Sequence, residues 1–176
     1  MTCRAVIAVI AVVAFAVLLP CAAVCAANSP ANAAAEYSKH LPALNELSIA
    51  VANAMPADKY SFRPHPASMT FGELMSHIAT TNYQFCAGLK DSSPPDLPSP
   101  SDKSAIVTFL SNSFQYCSTV INSLTAEQLD AQHNSPDGRL PGREVLLAMY
   151  IHVAHHRGQA EIYLRDNGIT PPSYRI

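Results

Sequence analysis

The chain has no tryptophan, only six glycines, and 14% charged residues in a length of 176. These counts exclude a collagen-like fibre, a charge-laced coiled coil and a long disordered polymer. No Lys/Arg cluster occurs, and the formal net charge is -2. A protein that grips nucleic acid by neutralising phosphates is ordinarily basic, so nucleic acid is not an expected partner. Several metal motifs are absent too. There is no Cys-x-x-Cys-His for covalent haem and no His-Glu-x-x-His of the zincin type. A di-iron carboxylate bundle needs Glu-x-x-His pairs. Here Leu74, Met149 and Val153 stand three places before His77, His152 and His156. Strand-like alternation of useful length and internal repeats are also missing.

What is present is unevenly spread. In Met1–Ala27, all residues but Thr2, Arg4 and Pro20 are apolar. Arg4 gives a short positive start, Ala5–Leu19 an unbroken apolar run, and Val24-Cys25-Ala26-Ala27 a small-residue exit. That order describes a secretory signal, and the run is short beside the roughly 20 residues of a membrane span. Residues 1–27 are therefore read as a signal peptide, 28–35 as a flexible tether and 36–176 as the domain. The expected location is periplasmic or secreted, with no membrane association after cleavage. The mature chain keeps ten Lys and Arg against thirteen Asp and Glu, and two cysteines, Cys86 and Cys117. In an oxidising compartment these form either one disulfide between helices or two separate buried thiols.

Four helical stretches follow. Leu41, Leu44, Leu47, Ile49, Val51 and Met55 recur at roughly helical spacing from Glu36 to Met55, with Pro42 near a first turn or at a kink. Ala57–Ser68 is a proline-punctuated loop with Tyr60 and Phe62 as anchors. Thr70-Phe71-Gly72-Glu73 is a capping box opening a second helix that runs to about Leu89. Lys90–Pro100 carries four prolines and reads as a linker. Extended, it reaches roughly 36 Å, enough to span a helix about 30 Å long and start the next one parallel to its predecessor. Asp102–Leu124 is the third helix, Thr125-Ala126-Glu127-Gln128 a capped short turn and Asn134–Gly142 a loop. Arg143–Asn167 is the fourth helix, closed by Gly168. The expectation is an all-α fold with four main helices around one core.

Seven histidines occur, three of them in His152-Val153-Ala154-His155-His156. Residues four apart lie about 40° apart round a helix and one turn apart along it, so His152 and His156 project side by side and suit one divalent metal. His155 lies to the other side. His77, in mid-helix among Leu74, Met75, Ile78 and Ala79, is the candidate third ligand. The plainer alternative is a core histidine bonded to a carbonyl. On the same helical wheel Glu73, Thr81 and Gln84 fall near His77, and Gln159 and Tyr163 near His152, as candidate pocket walls or supports for the ligands. Glu73 has a competing use in its capping box. Arg157 points away and suits a structural ion pair. No side chain stands out as a general base.

The segment from His152 through His156, Arg157, Gly158 and Gln159 to Tyr163-Leu164-Arg165-Asp166-Asn167-Gly168-Ile169-Thr170-Pro171-Pro172 resembles the closing signature of the DinB/YfiT-like family. Met55–Pro64 is similar to that family's first loop, and Thr70–Ala79 to its second-helix motif. The likeness covers about Glu36 to Pro172. It implies a four-helix bundle connected up-down-down-up, and a divalent metal (Zn, Ni or Fe) on His77, His152 and His156. It also implies chemistry such as that of thiol-dependent S-transferases, although an exported chain departs from the cytosolic setting of that chemistry. The resulting expectation is a metal-dependent enzyme, of hydrolase or S-transferase type, acting on an unidentified small molecule. The alternatives are a metal-stabilised bundle without catalysis, compatible with a homodimer, and a helical interaction module with no metal.

Overall fold

The computed structural model describes residues 30–174. The segment read as a signal peptide lies outside them. Five helices and one hairpin follow in the order α1 (Pro30–Ala54), α2 (Phe71–Gly88), α3 (Lys103–Asn122), α4 (Ala126–Asp130), β1 (Gln132–Ser135), β2 (Gly138–Pro141) and α5 (Gly142–Asp166). Among the described residues no helix is long and apolar enough to cross a membrane.

Local chemistry sets the helix ends. Thr70 accepts from the Glu73 backbone at 3.2 Å while the Glu73 carboxylate accepts from the Thr70 backbone at 2.7 Å, the expected capping box. Asp102 caps α3 through the Ala105 amide at 2.9 Å. A second capping box, Thr125 with Gln128, opens α4. Beyond α5, Gly168 adopts φ +72° and the Ile169 amide returns to the Leu164 carbonyl, closing orphan carbonyls as the sequence anticipates.

Contacts fix the helix directions. Gly72 packs on Ile106, Asn82 donates to Ser113, and Cys86 is disulfide-bonded to Cys117. Positions climb together, so α2 and α3 are parallel, as the long linker allows. Against α1 the order reverses: Ser38 donates to Asn122, while Lys103 donates to the Asn53 and Met55 carbonyls. Between α2 and α5 it reverses again, from Phe71 beside Tyr163 to Cys86 beside Met149. The four long helices therefore run up, down, down, up. Phe71, Phe85, Phe114, Leu74, Met75, Ile78, Leu110 and Leu146 are among the fully buried side chains of the core. Cutting one such phenylalanine to alanine costs about 3–5 kcal/mol. Tyr60 anchors the first loop, its hydroxyl donating to the Ala52 carbonyl at 2.7 Å.

Two features depart from the sequence expectations. Helix α1 starts at Pro30 rather than Glu36, so residues 30–35, read as tether, are helical. Alanine is the strongest helix former, proline suits a first turn, and Ala34 is buried. Pro42 consequently lies inside the helix. Secondly, the loop at 134–142 belongs to an antiparallel hairpin pairing His133 with Leu140 and Ser135 with Gly138. Its short polar strands carry no alternation to read, because tertiary contacts hold them. A Cβ on Gly88 would stand 2.1 Å from the Asn134 carbonyl oxygen. His133 is buried, with ring nitrogens 3.0 Å from Asp91 Oδ1 and 2.6 Å from the Gln128 carbonyl. A Cβ on Gly142 would stand 2.3 Å from the Gln128 carbonyl oxygen, so only glycine lets α5 start flush against α4.

Candidate metal centre

The antiparallel α2–α5 seam brings together the three histidines singled out in the sequence. One ring nitrogen from each of His77, His152 and His156 lies within 4.8 Å of the others. Ring centroids are 5.0 Å apart for His77 and His152, 4.7 Å for His77 and His156, and 4.4 Å for His152 and His156. All three side chains are half-buried, and Phe85 backs the His152 ring at 5.7 Å.

Hydrogen bonds decide which nitrogen of two rings faces the centre. The Thr81 hydroxyl lies 2.8 Å from the His77 carbonyl and 3.1 Å from the Ile78 carbonyl, so its one proton is used there. Toward His152 Nδ1, 3.2 Å away, Thr81 can only accept. His152 is therefore the Nδ1–H tautomer, with the Nε2 lone pair facing His77. Gln159 does the same for its neighbour: Oε1 accepts from His156 Nδ1 at 2.8 Å, and the amide nitrogen donates to His155 Nε2 at 3.0 Å. A partner on the outer nitrogen fixes ring orientation and raises ligand basicity.

Electrostatics keep the rings neutral. Burial pushes His152 down to about 4, helped by the neighbouring imidazoles, His156 first. Burial, then His156, lowers His77. Burial also lowers His156, against the opposing bond to Gln159. Neutral imidazole is the form that ligates metal.

The donor set fits a divalent ion. His152 Nε2 and His77 Nε2 are 3.2 Å apart. Two nitrogens, each about 2.0–2.1 Å from a tetrahedral ion, would stand about 3.3 Å apart. Among the described residues, no other cluster of His, Cys, Asp or Glu of this kind is found. Without an ion, a single His77 Nε2–H can bridge to His152.

The other residues anticipated around the site divide. Thr81 and Gln159 touch the histidines. Glu73 does not reach them: its carboxylate is spent on the Thr70 amide and on Arg63 at 3.6 Å, and it lines a separate cleft of about 660 Å³ with Tyr60 and Phe109. Gln84 sits two turns along α2, exposed, beside a cleft of about 510 Å³ near Asp91 and Asn134. Tyr163 is buried between Phe62 and Phe71, its hydroxyl donating to the Met69 carbonyl at 3.0 Å. It packs rather than lines the site. Arg157 is 9% exposed, lies 3.6 Å from Glu161 and stacks on Tyr174. His155 is the participant that the sequence reading passed over. Its spacing of four from Gln159 was the available signal.

Known proteins share this sequence pattern and fold. The sequence profile of the DinB superfamily matches residues 41–160. The protein YjoA of Bacillus subtilis (strain 168) is 28% identical over 139 residues, covering 76% of this chain and 88% of its own. The crystal structure of that DinB-like protein superposes with a TM-score of 0.69 at 25% identity, over 80% of this chain and 98% of the other. A DinB-like protein from Bacillus cereus ATCC 10987 gives 0.68 at 19% identity, over 79% and 95%, a likeness of fold. With the family profile spanning more than half its length, the chain belongs to the DinB superfamily.

Proposed function

We propose that His77, His152 and His156 hold one divalent metal ion through their inner ring nitrogens, and that the chain is an exported metal-dependent enzyme of hydrolase or S-transferase type. The observation that carries this reading is the convergence of three neutral imidazoles within 4.8 Å, two of them with Nδ1 committed outward. An all-nitrogen set suits Zn, Ni or Fe and disfavours Mg and Ca, which take oxygen ligands. An ion held there supplies Lewis acidity to a substrate oxygen or thiol. The chain's own contribution is orientation: Thr81 aims His152, Gln159 aims His156, and Phe85 backs the His152 ring. Three ligands leave a coordination position for substrate, the pattern of catalytic rather than closed structural sites. The Cys86–Cys117 disulfide is consistent with an oxidising compartment.

Elemental analysis and chelator-induced thermal shift test the site. The purified protein should carry about one divalent ion per chain and lose melting temperature on chelation. His152→Ala should abolish both. Equal metal content and equal chelator response in the two proteins would remove the site.

A further inference from the structure

We infer that His155 is a positioning residue of the metal centre, acting through the Gln159 amide to hold His156 in the tautomer that ligates. Its effect on affinity rests on the metal site proposed above, whereas the hydrogen bonds that produce it need no ion. Helical spacing sets the arrangement: Gln159 lies three residues after His156 and four after His155, so one side chain reaches both rings. Gln159 Oε1 stands 2.8 Å from His156 Nδ1, and the amide nitrogen 3.0 Å from His155 Nε2. The two rings meet edge to face with centroids 4.9 Å apart. His155 itself is exposed and stands outside the converging ligand set.

An amide has one accepting end and one donating end, and a neutral imidazole has one N–H and one bare nitrogen. A single amide bridging two neutral rings therefore fixes their protons together. With its oxygen toward His156, that ring carries Nδ1–H, the amide N–H meets a bare Nε2 on His155, and His155 is Nδ1–H as well. With the amide reversed, both rings are Nε2–H, and His156 turns a proton rather than a lone pair toward His77 and His152. Only the first state ligates. By accepting from Gln159, His155 favours that state, and an ion on His156 in turn sets the proton of a ring it does not touch. Without the acceptor the amide is free to reverse, and apparent affinity falls with the fraction of protein left in the ligating state. His152 needs no such second partner. Its support, the Thr81 hydroxyl, has its proton committed to backbone carbonyls and can only accept.

Long-range proton–nitrogen NMR of the imidazoles, at about pH 8 where the rings are neutral, tests this with zinc-free protein and with one equivalent of zinc. With zinc, His155 should show the Nδ1–H pattern, and in Gln159→Ala its tautomer should no longer respond to zinc. In competition with a chromophoric chelator, His155→Ala should bind zinc about three- to tenfold more weakly, less than the loss of a direct partner of the ligand. Circular dichroism should be unchanged, because the side chain faces solvent. Gln159→Glu offers two acceptors and has no orientation to choose, so in that background His155→Ala should cost nothing further. Equal zinc affinity in wild type and His155→Ala would overturn the proposal. So would an equal loss in the Gln159→Glu background, because His155 would then act by packing or charge alone. A wild type that takes up no zinc would remove the metal reading alone, and the zinc-free spectra would then decide: His155 and His156 with matching tautomer populations would uphold the coupling, and unlike populations would overturn it.

Discussion

Helix α2 has two seams of opposite character. Toward α3 it is tied covalently at Cys86–Cys117, carries the buried Asn82–Ser113 hydrogen bond and packs Gly72 on Ile106 and Tyr83 on Phe109. Toward α5 it is packed at both ends, by Phe71 against Tyr163 and by Cys86 against Met149, and places three imidazoles between. The first seam holds the bundle together. The second contains groups that burial penalises when charged, and packing on either side keeps them close. The bundle therefore has sources of stability that need no ion.

That contrast can be broken from either side. Replacing both Cys86 and Cys117 with serine removes a cross-link between residues 31 apart in sequence. Chain-entropy reasoning puts the loss at about 3–4 kcal/mol, read by denaturant unfolding, with metal stoichiometry unchanged. A variant that loses metal as well would show that the seams are coupled. On the other seam, Thr81→Val takes the acceptor from His152 Nδ1 while nearly keeping volume. Metal affinity should fall about 10–100-fold by calorimetric titration, with only a small change in metal-free stability.

Acid sharpens the comparison. The three histidines are held below the ordinary imidazole value of 6.5, His152 at about 4. Between those limits the unfolded chain binds protons that the folded chain refuses, so metal-free stability should decline as pH falls from about 6.5 to about 4. His152→Gln should flatten that decline. The smallest effect expected is at the α2 cap: Thr70→Ala should cost about 1 kcal/mol of stability and leave metal affinity unaltered.

Much of this was legible in the sequence because local rules carried it. The Thr70 and Thr125 capping boxes, Gly168 and the proline-rich linker each announce a boundary through chemistry confined to a few residues. The His152–His156 pair follows from helical spacing alone, and His77 stands out as their partner by its mid-helix place among Leu74, Met75, Ile78 and Ala79, a reading that the family resemblance reinforces. What stayed hidden depends on other elements. The β1–β2 hairpin exists because Gly88 admits the Asn134 carbonyl and His133 bridges Asp91 and the Gln128 carbonyl. The helical wheel placed Glu73, Gln84 and Tyr163 on the right side of their helices. It did not account for distance along the axis or for the Thr70, Arg63 and Met69 groups that claim two of them. The alanine-rich start of α1 looked like tether because small residues signal neither burial nor helix without their neighbours.

X-ray absorption fine structure of the protein loaded with one equivalent of zinc addresses the central claim most directly. The account predicts three imidazole nitrogens at about 2.0–2.1 Å with their outer-ring scattering, falling to two in His77→Ala. A first shell of oxygen or sulfur without imidazole, or one that His77→Ala leaves unaltered, would contradict it.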